Sequence, residues 1–165
     1  FIINALVLSE AQVSKDRTIK NAFLLADDAV IEGVLIPTKK RMTACVSVQV
    51  GCSLDCAFCA TGRLKRIRNL NADEIYDQVV MINDQAKKEY NLPISNIVYM
   101  GMGEPLLNYS NVLKSVDRIT SVNGLGMSPK RITISTAGIH KKIIRLADDG
   151  VKFNLALSLL SLIHI

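Results

Sequence analysis

The stretch TACVSVQVGCSLDCAFC (Thr43–Cys59) carries two patterns in succession. Its first half alternates with period two, the mark of a strand. Gly51 ends that run, and three cysteines then follow at CxxxCxxC spacing, in a short loop directly after the strand. All four cysteines of the 165-residue chain (Cys45, Cys52, Cys56 and Cys59) lie in this one stretch. A disulfide scaffold spreads its cysteines to close loops across a small fold, so this clustering argues for a metal or redox centre.

Upstream, AFLL and AVIEGVLI flank Asp27-Asp28, a tight-turn pair. Strands are expected at 19–25, 30–36 and 43–50, the first two as a hairpin. Residues 1–15 read as a short helical tail or linker. Downstream, NADEIYDQVVMINDQAKKEY (Asn71–Tyr90) opens with an N-cap asparagine and Glu74 three residues on. Its apolar positions Ile75, Val79, Ile82 and Ala86 recur at helical spacing. NIVYMGM reads as a buried strand, Asn111–Val122 as a helix, RITIST as a strand, Ile139–Asp148 as a helix and Lys152–Leu159 as a strand. The fold class is therefore α/β, a parallel array of four core strands and three helices behind a small β extension.

Composition narrows the function classes. Apolar residues make up 49% and charged residues 21%, as in globular domains rather than disordered ones. The net charge of +5 permits an anionic partner without requiring one. No apolar run reaches the ~18 residues of a membrane span. The opening FIINALVL lacks the basic segment of a signal peptide, so a cytoplasmic setting is expected.

Three close thiolates can hold three corners of a [4Fe–4S] cube, leaving the fourth iron open to a small molecule with an amine and a carboxylate. The alternative is zinc with Cys45 as fourth ligand. Zinc sites favour paired CxxC units, and only one is present. A straight strand would also place Cys45 as much as ~23 Å from Cys52.

CxxxCxΦC, with Phe58 before the last cysteine, at the end of the first strand of a βα array, resembles the radical S-adenosylmethionine (SAM) superfamily. The further blocks GMGEPLLN (Gly101–Asn108), RITISTAG (Arg131–Gly138) and NLALSL (Asn154–Leu159) occur in the same order as in the RlmN family of dual-specificity RNA adenine C2-methyltransferases. That resemblance runs from about Thr18 to Leu159. It implies a partial, TIM-barrel-like (βα) fold, and a radical route to C2, an electron-poor carbon that is no nucleophile toward an ordinary methyl donor. In that route one SAM methylates a cysteine near the C-terminus. A second SAM, on the cluster at Cys52, Cys56 and Cys59, generates a radical that activates the methylcysteine. A base then takes the C2 proton, and a second cysteine releases the product by forming a disulfide.

The same resemblance assigns the proton acceptor to Glu32 and the releasing cysteine to Cys45. A solvated strand glutamate is the plainer reading of Glu32. Phe58 is placed beside the nucleoside, and Ser135, Ser158 and Leu159 among the SAM contacts. Gly103 and Glu104 have a physical rationale besides: glycine after a buried strand lets a ligand approach the backbone, and a carboxylate accepts hydrogen bonds from the methionine ammonium. The implied partners are 23S rRNA and tRNA, with an electron donor such as flavodoxin. Arg63, Lys65, Arg66 and Arg68 follow the cluster loop and suit RNA phosphates, or simply a solvated loop. His140 reads as a surface or capping residue.

The expected organisation is a linker at 1–17 from an N-terminal accessory domain, a β extension at 18–44 and the core at 45–159. Residues 160–165 (LSLIHI) match the translation of a transposon-end sequencing adaptor and are expected to be non-native. The family normally has SLH where this chain has Ser158-Leu159-Leu160. No cysteine follows Cys59, so the methyl-carrying cysteine and later barrel strands are expected to lie outside this chain, which alone should not transfer methyl. Two other functions fit these motifs: the related C8-methylating rRNA enzyme, and a non-catalytic RNA-binding module stabilised by zinc or a cluster.

Overall fold

Asp27 and Asp28 reverse the chain between β2 (Ile19–Leu25) and β3 (Val30–Pro37), with Asp28 in the left-handed region at φ 61°. A short aspartate tolerates that conformation, which makes the hairpin tight. The computed structural model describes residues 5–54, 56, 57 and 59–159. Phe58 and the 160–165 tail lie outside the described residues.

β2 and β3 belong to a seven-stranded sheet with β1 (Leu6–Val13), β4 (Met42–Cys45), β7 (Asn96–Tyr99), β8 (Ile132–Thr136) and β9 (Asn154–Leu157), in the order β1-β2-β3-β4-β7-β8-β9. The first three pairings are antiparallel; those among β4, β7, β8 and β9 are parallel. Helices α1 (Ala72–Tyr90), α2 (Tyr109–Thr120) and α3 (His140–Asp148) connect the parallel strands. Four parallel strands and three helices agree with the α/β reading.

Two local expectations are corrected. Residues 6–13 form a strand rather than a helical tail, pairing with β2 through a bulge between Leu8 and Glu10. Only Leu6 of that strand is buried, so its sequence carries no clean alternation. The expected strand 43–50 breaks after Cys45 and resumes as β5 (Gln49–Val50), which pairs with β6 (Arg68–Asn69) in a separate two-stranded ribbon. Between them, Ser47 gives its backbone to the Gln78 side chain: its N–H donates to Oε1 at 2.9 Å, and its carbonyl accepts from Nε2 at 3.1 Å. A side chain thus satisfies backbone groups that a neighbouring strand would otherwise hold.

α1 starts where the sequence places it. The Asn71 side chain accepts from the Glu74 N–H and the Glu74 carboxylate from the Asn71 N–H, a complete capping box. Ile75, Val79, Ile82 and Ala86 are fully buried in one core with Ile31, Leu35, Ala44, Ile97, Ile132 and Ile134 of the strands. Each such aliphatic side chain contributes roughly 1.5–3 kcal/mol. Side chains on a strand alternate between faces, so the residues between these apolar ones form the other face. There the pairings align Val34, Cys45, Val98, Thr133 and Asn154 in one row across five strands. Glu32, two residues from Val34, and Ser135, two from Thr133, share that face.

Candidate active site

Beyond Cys45 the chain crosses over the end of β7. The Val46 N–H donates to the Val98 carbonyl (3.0 Å) and the Val48 N–H to that of Met102 (2.8 Å). Cys52 therefore lies seven positions beyond Cys45 along a path that is not one straight strand, and the ~23 Å span of an extended chain does not apply. The β5–β6 ribbon closes the base of the cysteine loop, and Cys52 N–H to the Leu64 carbonyl (3.1 Å) closes it further. Gly51 makes the turn into the loop at φ 74°; a Cβ there would lie 2.2 Å from the Lys65 carbonyl oxygen. Only glycine fits that approach.

Within the loop Cys52, Cys56 and Cys59 are all half-buried. The Cys59 N–H donates to the Cys56 carbonyl (3.0 Å), and the Leu54 N–H approaches the Cys52 sulfur at 3.4 Å. The three cysteines line one cleft of about 270 Å³ together with Gly103, Glu104, Ser135 and Ser158. Seven residues singled out in the sequence thus meet at the C-terminal ends of the parallel strands, where α/β folds bind ligands. Among the described residues no three cysteine, histidine or carboxylate side chains are already drawn to metal-binding spacing. The three thiols share the lining of the cleft without forming such a group.

Glu104 is 4% exposed and held at both oxygens: Oε1 accepts from the Leu106 N–H at 3.0 Å and Oε2 from the Ala137 N–H at 2.8 Å. It thereby caps the 3-10 turn Pro105–Asn108 and ties it to the loop after β8. Each carboxylate oxygen keeps a further lone pair for a ligand. Gly103, at φ 95°, sits against the Gln49 side chain. Ser135 and Ser158 hydroxyls lie 3.2 Å apart across β8 and the end of β9.

Glu32, Cys45 and Leu159 do not line the cleft. Cys45 is buried, which pushes its thiol up to about 11, and a hydrogen bond from the Met100 backbone offsets part of that rise. Met100 itself lines the cleft, so Cys45 lies just beneath its wall. The Glu32 carboxylate is about half exposed and pairs with the Lys20 ammonium at 2.6 Å. Leu159 is exposed. Arg68 turns inward and forks onto two carboxylates: Asp27 of the hairpin turn (2.6 and 3.1 Å) and Glu74 of α1 (2.9 and 2.8 Å). Arg63, Lys65 and Arg66 remain exposed, and so does His140 at the start of α3.

Residues 46–161 match the family described as the radical SAM superfamily. The chain belongs to this superfamily. Superfamily members use a [4Fe–4S] cluster and SAM, and the cleft suits both. It offers three thiol sulfurs, the usual cluster donors, and a glycine backbone beside a buried carboxylate. The chain is 63% identical over 159 residues to a probable dual-specificity RNA methyltransferase RlmN of Christiangramia forsetii, covering 96% of this chain and 45% of that protein. For the same-named protein of Flavobacterium psychrophilum the identity is 61% over 164 residues, covering 99% and 47%. A crystal structure of a radical SAM methyltransferase from Sphaerobacter thermophilus superposes with TM-score 0.91 at 40% identity, covering 95% of this chain and 46% of the other. The chain therefore spans about half the length of the curated relatives it matches.

Three residues that the motif reading passed over hold the superfamily site in place. Gln78 clamps Ser47; Gln49 joins Glu104 to Asn69; Asn108 donates to the carbonyls of Val48 (2.8 Å) and Leu70 (2.7 Å). All three are buried. The signal was present as polar residues at alternate positions of an apolar run, Ser47 and Gln49 between Val46, Val48 and Val50.

Proposed function

We propose that this chain is the cluster- and SAM-binding part of an RNA methyltransferase that places a methyl group on C2 of adenine in 23S rRNA and tRNA. The observation that carries this reading is the single cleft joining three cysteines to Gly103, Glu104, Ser135 and Ser158. Supporting it are the relatives named RlmN, which align with almost the whole chain.

In this reading Cys52, Cys56 and Cys59 hold three corners of the cluster and leave the fourth to the amine and carboxylate of SAM. The bound pair supplies the one-electron chemistry that an electron-poor aromatic carbon requires. Glu104 accepts the SAM ammonium, the Gly103 backbone permits close approach, and the Ser135 and Ser158 hydroxyls offer polar contacts at the far wall. Phe58, outside the described residues, is assigned to the nucleoside and Leu159 to the edge of the SAM site. Glu32 takes the C2 proton and Cys45 releases the product; they stand on adjacent strands of one sheet face, and Cys45 lies beneath Met100 of the cleft wall. With its thiol near 11, Cys45 stays protonated at neutral pH and its sulfur is unreactive until a base approaches. Arg63, Lys65 and Arg66 hold RNA phosphates beside the cleft. Reduction comes from an electron donor such as flavodoxin. The division into a β extension, to which β1 also belongs, and a core from residue 45 is part of the same proposal.

The test uses a chimera in which residues 5–159 replace the matching segment of the full-length Christiangramia forsetii relative. It is given SAM, a reductant and unmodified 23S rRNA or tRNA, and the nucleosides are then analysed by mass spectrometry. 2-Methyladenosine is expected. 8-Methyladenosine would assign the chain to the C8-methylating relative. RNA binding with an intact cluster but no methylation would favour a non-catalytic module.

A further inference from the structure

The run CVSVQV puts Cys45, Ser47 and Gln49 at alternate sequence positions, and none of the roles above uses Gln49. Its side chain is fully buried, a costly place for an amide unless both ends are bonded. Both ends are. Oε1 accepts from the Glu104 N–H at 2.9 Å, and Nε2 donates to the Asn69 side-chain oxygen at 2.7 Å. Asn69 is the β6 partner of Gln49 at the base of the cysteine loop, and its own Nδ2 donates to the Leu107 carbonyl at 3.3 Å. A Cβ on Gly103 would lie 2.5 Å from the Gln49 Cβ, so the same side chain also supports the glycine. One residue thus bridges the base of the cysteine loop and the backbone of the Gly103-Glu104 segment.

We infer that Gln49 is a positioning residue for SAM: it fixes the Glu104 backbone relative to the cysteine loop, so that the cluster end and the ammonium end of the site keep one spacing. This inference rests on the assignment of the cleft to SAM. The geometry explains why a polar side chain occupies a position where its neighbours Val48 and Val50 are apolar. It also separates two jobs. The Glu104 side chain is aimed by Leu106 and Ala137, while Gln49 fixes its main chain. Losing Gln49 leaves the Glu104 N–H buried and unpaired, which predisposes that segment to shift.

The test compares the chain with Gln49→Met, close in volume but without either hydrogen-bonding end. Amide hydrogen exchange is measured on the cluster-free protein, and iron content and SAM affinity after anaerobic reconstitution. The Glu104 amide is expected to exchange roughly tenfold or more faster in Gln49→Met. SAM binding should weaken by a similar factor, with iron content held. Unchanged Glu104 exchange and unchanged SAM affinity in a folded Gln49→Met protein would overturn the inference. So would a parallel fall of melting temperature and iron content with no selective loss of SAM, since that is a purely structural role. If Gln49→Met does not fold, Asn69→Ala removes the loop-end partner of Gln49, together with the Asn69 bonds to Leu107 and Arg66, and leaves the Glu104 N–H on Gln49. It should weaken SAM binding while the Glu104 amide stays protected; unaltered SAM affinity there contradicts the inference. If the unaltered chain takes up its cluster but not SAM, the functional assignment fails, and the exchange measurement still decides whether Gln49 holds Glu104.

Discussion

Gly51→Ala puts one methyl group against the closure of the cysteine loop, and its cost follows from the geometry. At φ 74° an alanine pays about 1–2 kcal/mol for the left-handed backbone. The added Cβ would sit 2.2 Å from the Lys65 carbonyl oxygen and 2.8 Å from its carbon, both backbone atoms, where real contacts stay above 3.0 Å. The Lys65 peptide must move by most of an ångström, which strains the adjoining Cys52 to Leu64 hydrogen bond, itself worth about 1 kcal/mol. The total is about 2–3 kcal/mol. With a urea slope of ~1–3 kcal/mol/M, the unfolding midpoint should fall by about 0.7–3 M. Should the loop open locally instead, the midpoint holds and the Cys52 amide loses its exchange protection. Equilibrium urea unfolding and hydrogen exchange on the cluster-free chain measure both. An unchanged midpoint together with unchanged Cys52 protection would refute the reasoning.

Three further outcomes are expected. Arg68→Met should cost roughly 1–2 kcal/mol at neutral pH, because it strips the guanidinium from the buried Glu74 carboxylate. Arg68 holds the Asp27 carboxyl below its ordinary value, so their pairing stabilises the fold above about pH 4 and is lost as pH falls through the depressed value. The gap between the two proteins in urea midpoint should therefore shrink from pH 7 to pH 3; a constant gap would contradict the ion-pair account. Alkylation at pH 8 followed by peptide mass spectrometry should label Cys45 roughly 100-fold more slowly than an ordinary thiol, given its value near 11. Labelling of Cys45 as fast as Cys52, Cys56 and Cys59 would show that it is not buried as described. Ile82→Ala, beneath α1 and against Gly33, should cost about 2–5 kcal/mol in urea unfolding, and a loss under 1 kcal/mol would mean that α1 is not packed there.

Local rules were legible where one physical cause acts alone. The α1 start is a capping box within four residues, and the Asp27-Asp28 turn needs only a short side chain that tolerates positive φ. The parallel array followed from apolar runs separated by helical spacing. What the sequence hid depends on partners far along the chain. Val46–Val48 looks like strand because it is apolar and alternating, yet its backbone is taken by Gln78, thirty-one residues from Ser47, by Val98 of β7 and by the loop after β7. Arg68 reads as one more cation in a basic loop until Asp27 and Glu74 converge on it. Leu6–Val13 is an edge strand with one buried residue, so its composition carries no pattern to read. In the cleft, the cysteines and the Gly103-Glu104 pair announce themselves by spacing. Gln49 shows only as a polar residue inside an apolar run, and Asn108 not at all, because an amide that satisfies buried backbone has no spacing rule.

The cleft's assignment is tested most directly by anaerobic reconstitution of the chain with iron and sulfide, then iron counting and electron paramagnetic resonance with and without SAM. Four irons per chain and a reduced-cluster signal that shifts on adding SAM are the expected result. Tight zinc binding with no cluster, or a cluster whose signal ignores SAM, would contradict the account.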